Sequence, residues 1–298
     1  MIYIDKSPNV ADGEGYTRDY IEDSYDEGTH VFIPSLQSEE AFNQFRNQQY
    51  TPLSPHVDTN FKSLLLREQE GRCCYCMCRI SDDAKDSNIE HLIPKKSPVG
   101  DLSYYAKYSD LLNHHVCHSA TFEGKHYANK KVVAQQVRLP HMVAYENLVA
   151  SCMDSHHCNS ARGNAKMPPL PVIPDIESKV FYSRSGRVVS EDADVEFGNA
   201  IDLLKLNHEM LEQIRLLWRK VAESAYRVEQ IIILTEAADK QAFLCEIFGK
   251  QSMTDLQPKW QNYAPIGENA STYYWDLFVR YDWFYDYYRH HDKDGNRI

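Results

Sequence analysis

Positive charge is scarce in this 298-residue sequence: 32 Lys and Arg stand against 43 Asp and Glu, for a net charge of −11 at pH 7. That balance argues against a surface that coats nucleic acid non-specifically. The deficit is local. Residues 1–50 hold three Lys/Arg and ten Asp/Glu and carry −7, the other 248 residues carry −4, and residues 61–101 hold seven charges of each sign. A phosphate-bearing substrate can still be met there. No apolar run approaches the ~18–20 residues that a membrane span requires, and Met1-Ile-Tyr-Ile-Asp-Lys6 lacks the pattern of a signal peptide. There is no internal repeat and no low-complexity tract. Hydrophobic residues at 43% and charged residues at 25% leave an ordinary globular composition, enough for one large domain or two modest ones.

A secreted disulfide framework is also unexpected. Of eight cysteines, four crowd into Cys73–Cys78, which fits metal ligation in a reducing cytosol better than a set of distant bridges. Cys73 and Cys76 form a C-x2-C knuckle in Gly71-Arg-Cys-Cys-Tyr-Cys-Met-Cys-Arg-Ile80. A second, wider pair, Cys152 and Cys158, lies in Tyr145-Glu-Asn-Leu-Val-Ala-Ser-Cys152 and His157-Cys-Asn-Ser-Ala-Arg-Gly163. Two such pairs can close a tetrahedral structural Zn site that ties distant loops together. His156 or His157 could replace one thiolate, and Cys74 and Cys78 are left over for packing or competition.

Between the pairs lies Ile89-Glu-His-Leu-Ile-Pro-Lys-Lys96. Phosphodiester hydrolysis needs a base for water and a cation for the charge that builds on the phosphate oxygens. His91 is the natural base, since imidazole titrates near neutrality. Glu90 and Asn159 are oxygen ligands suited to Mg²⁺ or Mn²⁺. Asn147 takes a scaffold role, its amide pinning the loop that carries His91. Lys95, Lys96, Arg162 and Lys166 are candidate phosphate clamps. The bland alternative is a purely structural zinc ribbon with a buried His91.

Along the chain, residues 1–50 read as an acidic arm, solvated or used for docking, with a short helix over Leu36–Asn47. Residues 51–176 form the core and 177–298 a hairpin followed by helices. A helix is expected over Asn60–Glu70, stopped by Gly71. Arg79-Ile80 and Asn88-Ile89 are expected to pair as a hairpin. Residues 97–144 make a long insertion whose His114, Cys117, His118 and His126 could hold another metal. A short helix should start at Asn159, and Pro168–Pro174 reads as an extended linker. Val180-Phe-Tyr and Arg187-Val-Val suggest a hairpin, followed by helices around Phe197–Leu206, Leu211–Ile232 and Ala237–Phe248. The last thirty residues pack ten aromatics into one expected helix, for the core or for a protein–protein face. The fold class is α+β.

Gln69-Glu-Gly-Arg-Cys-Cys-Tyr-Cys76, Ile89-Glu-His-Leu-Ile-Pro-Lys95 and the Tyr145–Gly163 segment together resemble the HNH (ββα-metal) endonuclease superfamily with a zinc-knuckle insert. More narrowly, they are similar to the HNH proteins of Septu-type and retron-associated anti-phage systems, over about residues 50–176. The resemblance implies a small ββα-metal core stapled by a four-cysteine zinc site and followed by a mainly α-helical region. It implies His91 as general base, Glu90 and Asn159 at the catalytic metal, Asn147 as the loop brace, and Cys73, Cys76, Cys152 and Cys158 as zinc ligands. It also implies a DNA substrate and an ATPase partner. RNA or tRNA cleavage is the alternative target, and a non-catalytic zinc adaptor that binds an ATPase through residues 265–298 is the alternative class. This sequence departs from the family's pattern in having Asn159 where His stands, Arg162 where Lys is commoner, and a longer insertion.

Overall fold

The computed structural model describes residues 1–13, 15–16, 55–94, 104–108, 127–128, 131–132, 145–190, 195–256, 270–292 and 298. Helix α1 (Pro55–Glu68) leads into the knuckle. It begins earlier than the expected Asn60 because Pro55 suits a first helical position, where no amide donor is needed. Phe61, Leu64 and Leu65 are buried along it. It stops as Glu70 (φ 53°) and Gly71 (φ 67°) both turn left-handed and the Gly71 amide donates to the Leu66 carbonyl at 2.8 Å.

Strand β1 (Ser87–His91) pairs antiparallel with β2 (Leu148–Cys152), so that Ser87 faces Cys152 and His91 faces Leu148. This corrects the expected pairing with Arg79-Ile80. The knuckle closes on itself instead: Cys73 N–H donates to the Cys78 carbonyl and Ile80 N–H to the Gly71 carbonyl, both at 2.8 Å, and Arg72 bridges Arg79. With its own bonds made internally, it leaves β1 free for the strand that Cys152 anchors. On the other edge of β2, the Gln69 carboxamide acts as a missing strand residue. It accepts from Ala150 N–H at 2.7 Å and donates to the Ala150 carbonyl at 2.8 Å. Helix α2 (Cys158–Arg162) follows, which gives a strand–strand–helix order.

The Pro168–Pro174 segment is not an exposed linker. Leu170–Val172 forms a buried 3-10 turn, and Pro171 accepts a hydrogen bond from Ile4 N–H at 2.7 Å. The start of the chain is likewise packed rather than solvated. Met1, Ile4 and Lys6 are buried, with Lys6 Nζ donating to Glu68 at 2.8 Å and to the Leu148 carbonyl at 2.6 Å. The expected Leu36–Asn47 helix lies outside the described residues.

Strands β3 (Val180–Tyr182) and β4 (Val188–Ser190) make the expected hairpin. Helices α3 (Val195–Leu203), α4 (Glu209–Ala222), α5 (Val228–Ile232) and α6 (Ala237–Phe248) follow. The hairpin turn sits on α4 through Gly186, whose φ is +81° and whose missing side chain would meet the Glu212 backbone carbonyl. The buried Arg215 donates to the carbonyls of Gly186 and Leu206 at 3.0 and 2.8 Å, its guanidinium over Tyr182 and Phe284. Gly186→Ala should therefore cost about 2–4 kcal/mol, combining left-handed strain with overpacking. Urea unfolding of the variant beside the parent checks this; equal midpoints would refute it.

The aromatic tail is two helices, α7 (Ala270–Val279) and α8 (Trp283–His290), rather than one. Asp282, at the break, receives Arg72 and Arg79 from the knuckle, and the Arg280 carbonyl accepts Arg79 N–H at 2.8 Å. Trp218 on α4 stacks on Phe278 at 4.4 Å and donates its indole N–H to the Phe278 carbonyl at 2.9 Å. Tyr274, Trp275, Phe278, Tyr281, Phe284, Tyr285 and Tyr287 are all buried. These seven aromatics are core, and Tyr273, Trp283 and Tyr288 pack half-buried against it. Among the described residues no helix is long and apolar enough to cross a membrane.

Candidate functional site

The four expected ligands converge. Cys73 and Cys76 come from the knuckle, Cys152 ends β2 and Cys158 begins α2, and their sulfurs lie within 4.8 Å of one another, all buried. Cys73 and Cys158 are 3.8 Å apart, and so are Cys76 and Cys152. A tetrahedral Zn²⁺ with Zn–S bonds near 2.3 Å has S···S edges of about 3.8 Å, so the donor set fits a structural metal such as zinc. Other polar groups gather around the sulfurs. His157 Nδ1 is 3.1 Å from Cys158 Sγ, with its Nε2 3.5 Å from Asp154, and the Tyr281 hydroxyl is 3.8 Å from Cys76 Sγ. His157 thus flanks the thiolates rather than replacing one. Burial opposes its charge, but Cys76 and Asp154 hold its pKa above the ordinary value. Cys78 lies 3.4 Å from Cys76 Sγ. Hydrogen bonds with Cys152, Cys73 and Cys76 push its thiol well above the ordinary range.

His91 is the last residue of β1 and is buried, at 5% exposure. The turn after it is fixed from two sides. Asn147 accepts from the Ile93 amide at 2.6 Å and donates to the Ile93 carbonyl at 3.1 Å, a paired contact that braces the segment leaving His91. From α2, Arg162 donates to the His91 carbonyl at 2.8 Å and to the Leu92 carbonyl.

Arg162, an expected phosphate clamp, has its guanidinium turned to these groups inside the protein. It is buried at 3% exposure, and it donates to Glu90 at 2.5 Å as well as to the Ala165 carbonyl. The expected metal ligand Glu90, 4% exposed, is correspondingly engaged: it accepts from Arg162 and from the Tyr75 hydroxyl at 3.1 Å. Burial pushes the Glu90 carboxyl up and Arg162 pulls it back. Burial also opposes charge on Arg162, and Tyr75 and Glu90 more than restore it.

Asn159 stands in the first turn of α2, half-buried, three residues before Arg162 and so on the same helical face. Of the two expected ligands for a hard divalent ion, only Asn159 remains uncommitted to Arg162. One neutral oxygen does not make a Mg²⁺ or Mn²⁺ site by itself. Among the described residues the cysteine cluster is the one group of metal-ligating side chains. Lys166 is exposed, its ammonium 5.1 Å from the Tyr104 ring centre. Lys95, Lys96, His114, Cys117, His118 and His126 lie outside the described residues.

Sequence reasoning gave no role to Tyr75, Asp282 or Lys6, and read Tyr281 only as one of the tail aromatics. Tyr75 alone carried a signal, as an aromatic enclosed between ligand cysteines. The chain matches no model of a known protein family and no curated protein.

Proposed function

We propose that this chain is an HNH-type endonuclease that hydrolyses phosphodiester bonds in DNA, with His91 as general base, acting as the effector of an anti-phage complex beside an ATPase. The observation that carries the reading is the held turn after His91: Asn147 and Arg162, from two directions, fix the backbone that leaves the end of β1 just after this imidazole. Positioning of this kind is what a general base requires, since proton transfer is effective only at hydrogen-bond range. The zinc would staple the end of β2 to the start of α2, the helix that carries Asn159 and Arg162. A divalent cation supplies charge stabilisation in such reactions. The described residues offer it only Asn159.

His91→Ala should reduce nicking of supercoiled plasmid in Mg²⁺ or Mn²⁺ by roughly 10²–10⁴-fold, with zinc content and circular dichroism unchanged. Undiminished nicking by the variant would remove the assignment. Labelled tRNA incubated in parallel separates an RNA target from DNA.

A second reading has its own support. Glu90 closed on Arg162 and the low exposure of His91 suit a zinc-stapled adaptor without chemistry. A zinc-replete preparation inert on every nucleic acid, yet captured by an ATPase, favours it. In that case the tail offers the partner its half-buried Tyr273, Trp283 and Tyr288 rather than the seven aromatics packed inside.

A further inference from the structure

We propose that Cys78 is a fifth ligand thiol of the cysteine centre, able to take the place of Cys76 on the bound zinc. Its sulfur is 3.4 Å from Cys76 Sγ, so the two thiols stand at the same corner of the four-cysteine cluster. The two cysteines flank Met77, whose left-handed backbone (φ 68°) reverses the chain and turns both side chains to the same side. The turn is held independently of either sulfur, by Cys73 N–H on the Cys78 carbonyl and by Arg79 on Asp282. A side-chain rotation at residue 78 is therefore enough to exchange ligands.

The exchange also has a route to solvent. Cys78 and Cys152 line a cavity of about 560 Å³ whose walls include Lys85, Asp154, His156 and Arg280. As Cys78 binds, its thiol gives a proton to water in this cavity, and Cys76 takes one up as it leaves. The charge of the centre is unchanged. Cys74 instead lines a separate cavity on the Cys73 side of the centre, with Ile2, Pro8 and Met77, and not the one that Cys78 lines.

The test is metal content of the full chain. Cys76→Ser should keep one zinc per chain, with affinity lowered by no more than roughly 10–100-fold. Adding Cys78→Ser should abolish binding at equimolar zinc, while adding Cys74→Ser should not. Cys158→Ser/His157→Ala, which also removes the imidazole 3.1 Å from the Cys158 sulfur, should lose zinc. Loss of zinc from Cys76→Ser alone, or retention by Cys76→Ser/Cys78→Ser, overturns the proposal. Should Cys76→Ser fail to fold, Cys78→Ser in the otherwise native chain decides the matter. Zinc transfer to a coloured chelator should be faster than in the parent and in Cys74→Ser, because the reserve thiol that recaptures the ion when Cys76 lets go is gone. Equal rates in all three overturn the proposal. None of these readouts involves nucleic acid, so they stand or fall apart from the nuclease reading.

Discussion

Cys158→Ser/His157→Ala, or removal of zinc from the parent by a strong chelator, should unfold the segment from Cys73 to Arg162 rather than merely loosen it. The centre joins a self-closed knuckle, the end of a five-residue strand and the start of a five-residue helix, elements too short to hold one another firmly by backbone pairing alone. Structural zinc contributes on the order of 10 kcal/mol of apparent binding free energy, comparable with the roughly 5–15 kcal/mol by which a whole domain is stable. Four buried thiols without an ion would also crowd one another: burial opposes ionisation of Cys73 and Cys76, and hydrogen bonds from Cys152 and Cys158 hold them low regardless. The damage should spread to the C-terminal helices, because Tyr281 packs beside Cys76 and Asp282 is held by Arg72 and Arg79. Expected observations are loss of near-ultraviolet circular dichroism from the buried tyrosines, a lowered melting temperature, and recovery on adding back zinc. A chelated chain that melts like the parent would show that packing alone holds the centre together.

How far this arrangement could be read from the sequence differs residue by residue. The four cysteines were legible as a group because two spaced pairs of thiols are the donor pattern of a structural metal site. The β3–β4 hairpin was legible because Ser183-Arg-Ser-Gly186 supplies its own turn, and only glycine suits the +81° that the turn reaches over α4. The partner of β1 was not. Arg79-Ile80 is the nearest extended stretch, and nothing local reveals that the knuckle has already used its hydrogen bonds internally. The break at Arg280–Asp282 was also hidden, since it contains neither Gly nor Pro. Its partners are arginines some two hundred positions earlier in the chain. Arg162 shows the same limit in a charged residue. A cation beside a suspected phosphate site reads as a clamp, but whether it faces solvent or a buried carboxylate depends on Tyr75 and Glu90, which only the fold brings to it.

That buried pair gives the other large expected effect. Arg162→Ala should destabilise the chain by about 3–5 kcal/mol, because it leaves the Glu90 carboxylate shielded from water with the Tyr75 hydroxyl as its remaining side-chain donor. It also removes the donors from the carbonyls of His91 and Leu92. Removing both charges together, as in Glu90→Gln/Arg162→Met, should cost much less than Arg162→Ala alone, since no uncompensated charge is left behind. A double-mutant cycle measured by urea unfolding tests this directly, and additive losses would mean that the two groups do not depend on each other. The same variants separate two roles for Glu90. If it acts by fixing Arg162, and through it the turn after His91, Glu90→Gln should lower the turnover of plasmid nicking and leave the Mg²⁺ concentration for half-maximal rate where it was. If Glu90 instead releases Arg162 to hold the cation, that concentration should rise while stability barely changes. The distances favour the first outcome: a guanidinium 2.5 Å from the carboxylate, itself anchored to three backbone carbonyls, has no second position that would satisfy it equally well.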